Sequence, residues 1–171
     1  MNVTRTSHRA LVITVSDRSA AGEREDRSGP AAVARLRDGG FACSEPLVVP
    51  DGADSVEAAL RAALAEGARL IVTTGGTGLG PRDVTPEGTA RVITRQIPGI
   101  AEELRRIGAS EKPGGMLSRG LAGIVDAAPG VTAGALVVNL PGSTAAVGSG
   151  IPVILSVALH VIDQIGGGDH T

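Results

Sequence analysis

Aromatic side chains are all but missing from this chain: Phe41 is the single Phe, Tyr or Trp among 171 residues. A flat ligand ring therefore cannot be sandwiched between aromatic side chains. It has to lie against Arg guanidinium planes, aliphatic groups or backbone, and the base-stacking platforms of single-strand binders are disfavoured. Lysine is equally scarce. Lys112 stands alone and every other basic residue of the 16 is Arg, so positive contacts to a ligand are expected to be planar and bidentate. The net charge of −2 comes with no basic tail or stripe, which removes the electrostatic footing for nucleic-acid binding. One cysteine, Cys43, cannot form an internal disulfide and suits a reducing compartment. The first nine residues lack the apolar core of a signal peptide. The longest apolar stretch, Ile151 to Ile165, is broken by Ser156, His160, Asp163 and Gln164 and does not read as a membrane span. The expected compartment is the cytoplasm. His8, His160 and His170 have no partners at ligand spacing, which argues against a zinc site or a catalytic histidine.

What remains is ordinary for a globular protein: 42% apolar and 20% charged residues, at a length that suits one domain over 1–171 with an ordered core from about 9 to 166. Ala10 to Val15 is an uncharged β-rich run that reads as a buried parallel strand, ending in the polar pair Ser16 and Asp17. Ser28 opens a helix that Gly39-Gly40 stops. Phe41 to Val49 reads as a second strand and Pro50-Asp51-Gly52 as a turn. Asp54 and Glu57 have capping-box spacing, and Glu57 with Arg61 adds an i,i+4 pair on the helix that follows. A third strand, Arg69 to Thr74, runs into Gly75-Gly-Thr-Gly-Leu-Gly80, after which Thr85 is placed to cap a helix with Pro86 and Glu87 in its first turn. Pro98 interrupts and Ile100 to Ile107 continues helically. Leu121 to Val125 and Ala135 to Leu140 read as strands around a Pro129-Gly130 turn, and Ile151 to Ile165 as the last helix.

Strands alternating with helices imply an α/β fold: three layers, α/β/α, around a mostly parallel sheet. Such sheets bind ligands at the carboxyl ends of their strands. Those ends carry Ser16 and Asp17, then Asp51, then Gly75 to Asp83, then Asn139, so four polar clusters converge on one edge. The glycines of Gly76-Thr-Gly-Leu-Gly80 let backbone N–H groups point inward, a concavity suited to phosphate oxygens. It is not a Walker loop, since Gly80-Pro81-Arg82 stands where Gly-Lys-Ser/Thr is required. Pro81 also breaks a dinucleotide fingerprint. Asp51 and Asp83 follow neighbouring strands and can face each other across the crevice, where oxygen ligands suit Mg²⁺ held together with nucleotide phosphates. Each also has an ordinary use: Pro-Asp-Gly is a common turn, and Asp83 favours a helix start by its charge. Ser16 with Asp17 serves equally as a turn, Ser118 as a cap and Cys43 as a small core residue.

The pattern Thr73-Thr-Gly-Gly-Thr-Gly-x-x-x-Arg82-Asp83-x-Thr85-Pro86-Glu87 is long and specific. It resembles the molybdenum cofactor biosynthesis domain of the molybdopterin adenylyltransferase type, related to the G domain of gephyrin. Val15-Ser16-Asp17, Asp26-Arg-Ser-Gly29, Val49-Pro-Asp51, Leu117-Ser-Arg119 and Asn139-Leu-Pro-Gly-Ser143 match in order, over nearly the whole chain. The resemblance implies a molybdopterin-binding fold, a homotrimer or hexamer, and transfer of AMP from Mg-ATP to the terminal phosphate of molybdopterin with release of pyrophosphate. It implies Asp51 and Asp83 as an essential acidic pair; of these candidate Mg²⁺ ligands, Asp83 is expected to position the metal and Asp51 to help orient the ATP phosphates. Gly75, Gly76, Thr77, Gly78 and Arg82 are then expected at the phosphates. Ser16, Asp17, Ser118, Asn139, Pro141, Gly142 and Ser143 are expected at the substrate. Relatives often carry a basic pair after Ser143 where this chain has Thr144-Ala-Ala146, leaving Arg82 or Arg119 to supply that charge. The alternative function is a paralogue that binds or carries molybdopterin without adenylylating it.

Overall fold

Residues 7–131 and 133–168 are described in a computed structural model; His170 lies outside them. The strands are β1 (Arg9–Val15), β2 (Ala42–Cys43), β3 (Leu47–Val49), β4 (Leu70–Thr74), β5 (Arg95–Gln96), β6 (Ala122–Val125) and β7 (Ala135–Leu140). The helices are α1 (Asp17–Ala20), α2 (Ser28–Asp38), α3 (Ala53–Ala65), α4 (Thr85–Ala90), α5 (Pro98–Glu111) and α6 (Thr144–Ile165), with a 3-10 turn at Pro113–Leu117. The sheet runs β2-β1-β4-β7-β6-β5, with β3 also paired to β1. Pairings among β1, β2, β3, β4 and β7 are parallel, and β6 runs antiparallel to both neighbours.

The three layers follow from the two-residue period of the strands. Ala10 and Val12, Leu70 and Val72, and Leu136, Val138 and Leu140 face a core closed by α2, α5 and α6. The alternate positions Ile13, Val15, Ile71, Ala135 and Val137 face a second core under α3. Each large side chain so buried contributes about 1.5–3 kcal/mol by leaving water. Cys43 sits in the first core, and burial pushes its thiol pKa up.

Several elements differ from the sequence reading, each for a local reason. The run 41–49 splits into β2 and β3 around Pro46, which has no N–H to extend a ladder. The α3 helix starts after Gly52 rather than on an Asp54 cap. Asp54 pairs with Arg91 instead, while the expected Glu57–Arg61 pair forms at 2.9 Å. Val84, not Thr85, is the N-cap of α4; the Thr85 hydroxyl donates to the Gly75 carbonyl at 2.9 Å. Pro98 begins α5 instead of interrupting a helix. The last helix begins at Thr144, capped by Ser143, and continues through Pro152. Packing of Val147 and Ile151 in the core overrides the weak propensity of a segment holding Gly148, Gly150 and Pro152. By length and composition α6 could cross a membrane; here it lies against the sheet.

Candidate active site

A crevice of about 850 Å³ opens at the carboxyl ends of the parallel strands. Ser16, Asp51, Gly75 to Gly78, Asp83, Ser118, Asn139 and Pro141 to Ser143 all line it. Asp17 and Arg82 are outside that lining, both partly open to solvent.

Asp17 and Asp51 brace one another. The Asp17 N–H donates to Asp51 Oδ2 at 2.8 Å, and the Asp51 N–H donates to Asp17 Oδ1 at 3.0 Å. Arg82 grips Asp17 with two N–H groups at 3.0 and 2.9 Å and donates to the Asp51 carbonyl at 2.7 Å. The guanidinium hydrogen bond holds the Asp17 carboxyl below its ordinary pKa. The bidentate geometry that Arg favours is thus spent on tying the β1, β3 and β4 loops together.

The glycine loop owes its path to two residues with positive φ, Gly75 at +101° and Gly76 at +66°. A methyl group on Gly75 would stand 2.3 Å from the Val15 carbonyl oxygen, so no other residue fits. The Gly75 N–H is committed to the Leu140 carbonyl at 2.9 Å and is unavailable to a ligand. The N–H groups of Gly76, Thr77, Gly78 and Leu79 have no acceptor among the described residues, and all four residues line the crevice. Unpaired backbone donors following a left-handed turn form a concavity suited to an anion.

Asn139, expected at the substrate, turns its side chain into the protein. Its Nδ2 donates to the hydroxyls of Thr73 and Thr89, both at 2.9 Å, and its Oδ1 accepts from the Leu121 N–H at 3.0 Å. Ser143 Oγ accepts the Ala146 N–H, Ser16 Oγ the Ser19 N–H and Ser118 Oγ the Gly120 N–H, at 3.1, 3.2 and 3.3 Å. Arg119 is no free cation either, being bonded to Gly78, Asp83 and Glu87. Arg24 and Lys112 line the crevice and form no ion pair among the described residues.

A polar corner that the sequence reading did not place in the site closes the α2 side. Asp26 accepts from the Thr14 hydroxyl at 2.7 Å and from the Gly29 N–H at 2.9 Å, while the Ser28 and Thr74 hydroxyls share a bond of 3.0 Å. Its sequence signal was the Asp26-Arg-Ser-Gly29 spacing, in which a carboxylate satisfies an N–H three residues on.

For Mg²⁺ the donor set is small. The Oδ2 atoms of Asp51 and Asp83 are taken by the N–H groups of Asp17 and Gly80, while both Oδ1 atoms accept no hydrogen bond among the described residues. No group of three or more His, Cys, Asp or Glu residues suited to a metal occurs among them. Two hard oxygens do not make a cage, but they fit an Mg²⁺ that substrate phosphates help to hold.

The structure is thus a layered α/β fold with its crevice at the strand ends, walled by unpaired N–H groups and two carboxylates. The chain belongs to the probable molybdopterin-binding domain family, which matches residues 11–160. It is 42% identical over 161 residues to a molybdenum cofactor biosynthesis bifunctional protein of Synechococcus elongatus, covering 94% of this chain and 48% of that protein. It thus spans about half the length of that relative. A molybdopterin adenylyltransferase of Pyrococcus furiosus is 37% identical over 153 residues, covering 88% of this chain and 87% of the enzyme. The crystal structure of a molybdopterin biosynthesis protein from Mycobacterium abscessus superposes with a TM-score of 0.84 at 38% identity, covering 94% of this chain and 97% of that one.

Proposed function

We propose that the protein is a cytoplasmic, homotrimeric molybdopterin adenylyltransferase. The observation that carries this reading is the nest of unpaired N–H groups at Gly76, Thr77 and Gly78 on the same crevice as Asp51 and Asp83. An oxygen of the terminal phosphate of molybdopterin attacks the α-phosphorus of ATP. The bond from that phosphorus to the oxygen bridging to the β-phosphate breaks, and pyrophosphate leaves with the bonding pair. The attacking phosphate is largely dianionic at neutral pH, since its second pKa is about 6, so the protein need supply no nucleophile or general base. The remaining tasks are alignment and neutralisation of charge. The nest holds phosphate oxygens; Arg24 and Lys112 add positive charge along the wall; the Asp17–Arg82 pair fixes Asp51. Asp51 and Asp83 would hold Mg²⁺, which supplies electrostatic stabilisation at the phosphates.

The test is pyrophosphate release from molybdopterin and Mg-ATP. We expect release by the wild-type chain and a loss of about 100-fold or more in Asp51→Ala and Asp83→Ala, the size typical for removing a group that stabilises developing charge. A wild-type chain that binds molybdopterin yet releases no pyrophosphate would instead be a carrier.

A further inference from the structure

Arg119 stands outside the crevice lining, between the 3-10 turn and β6, yet it is tied to both ends of the 77–83 bend. Its backbone N–H donates to the Thr77 carbonyl and its Nε to the Gly78 carbonyl, each at 2.9 Å. Its Nη2 reaches the Asp83 carbonyl, and its Nη1 is paired with Glu87 in the first turn of α4. The Glu87 carboxyl is held below its ordinary pKa by that guanidinium hydrogen bond, so the pair is ionised throughout the neutral range.

The direction of these bonds matters. In a planar trans peptide the C=O of one residue and the N–H of the next point opposite ways. With the carbonyls of Thr77 and Gly78 drawn toward Arg119, the N–H groups of Gly78 and Leu79 face away from it. Those two groups are among the donors left without a protein acceptor, on residues that line the crevice. The same guanidinium fixes the far end of the bend at Asp83, whose carboxylate closes it by accepting the Gly80 N–H at 2.9 Å. The backbone N–H of Arg119 thereby orients the Gly78 donor, while its side chain orients the Leu79 donor and fixes the base of the acidic residue opposite.

We propose that Arg119 is a positioning residue: held by Glu87, it shapes the 77–83 bend so that backbone donors and the Asp83 carboxylate meet the transferred phosphate. This rests on the adenylyltransferase reading for its kinetic consequence, though not for its structural one. A planar fork is required, because a single ammonium cannot reach the Gly78 and Asp83 carbonyls and Glu87 together.

The experiment compares the full chain with its Arg119→Ala, Arg119→Lys and Glu87→Gln variants by two measurements. Amide hydrogen exchange at Gly80, Asp83 and Thr85 reads the bend, with the melting temperature recorded to show that each variant folds. In Arg119→Ala these amides are expected to exchange on the order of tenfold faster, with Arg119→Lys no better and Glu87→Gln intermediate. Pyrophosphate release from molybdopterin and Mg-ATP reads the consequence. The kcat of Arg119→Ala is expected to fall about 100-fold, as for a small misplacement of reacting groups, with the loss borne by kcat more than by KM. Unchanged exchange in a folded Arg119→Ala overturns the proposal. So does full turnover in Arg119→Lys, which would mean that a remote charge suffices. If the wild type releases no pyrophosphate, the adenylyltransferase reading fails and the exchange data alone decide the clamp.

Discussion

Asn139 shows how a residue can belong to a site without facing its ligand. It is the penultimate residue of a fully buried strand, and its odd-numbered position on β7 turns its side chain toward Thr89 of α4. There its amide bridges Thr73 on β4, Thr89 on α4 and the backbone entering β6. An amide supplies both donors and an acceptor, which no aliphatic residue of similar size can do. Asn139→Ala would leave the Leu121 N–H and two buried hydroxyls without a partner. The expected cost is about 2–4 kcal/mol, read from urea unfolding. A change indistinguishable from zero would mean that the bridge is not what holds β4, α4 and β6 in register. From sequence the same residue was expected at the substrate, because its place at a strand end was visible and the direction of its side chain was not.

Among the elements, the strand-end loops stand out for two arginine–carboxylate pairs that tie them together. Arg82 with Asp17 ties together the loops after β1, β3 and β4, and Arg119 with Glu87 ties the glycine loop to α4. In both pairs the guanidinium depresses the carboxyl pKa, from ordinary values of 3.8 for Asp17 and 4.5 for Glu87. A depressed carboxyl stabilises the folded form above its unfolded pKa and loses that contribution as pH falls through the lower folded value. The loops are therefore expected to hold their conformation from neutral pH down to about pH 5 and to loosen below about pH 4. Both pairs reach solvent, so added salt would weaken them. The check is an amide chemical-shift titration of Gly76 to Asp83. A midpoint at or above the ordinary carboxyl values would contradict the clamp geometry.

For the whole molecule, the open question is what covers α6. It is a 22-residue helix whose most apolar 18-residue stretch has a mean hydropathy of 2.0, and a third of that stretch is buried within one chain. The homotrimer expected from the family resemblance would account for that surface. Light scattering is expected to give the mass of three copies of the 17.1 kDa chain, and a monomeric mass at working concentration would remove the trimer from the proposal. If the trimer forms, its dissociation by dilution is expected to expose apolar surface and lower the melting temperature.

The layered α/β fold, the strand runs at 10–15, 70–74 and 135–140, and the convergence of Asp51, the glycine loop and Asp83 on one edge were legible in the linear chain. They rest on local rules: two-residue alternation of apolar side chains, glycine where φ must be positive, and polar residues at strand ends. The short pieces, α1, β5 and the break at Pro46, carry too little pattern to be read. Proline and glycine near the start of α6 pointed away from a helix that burial nevertheless forms. Fewest clues existed for the division of labour among the arginines. Arg82, expected at the phosphates, is bonded to Asp17. Arg119, offered as a source of the charge missing after Ser143, is bonded to the Gly78 carbonyl and Glu87, while Arg24 and Lys112 line the crevice from other elements. An arginine's partner is chosen by whichever carboxylates and carbonyls the packed elements bring within reach of its fork, and that proximity comes into being only once the chain has folded.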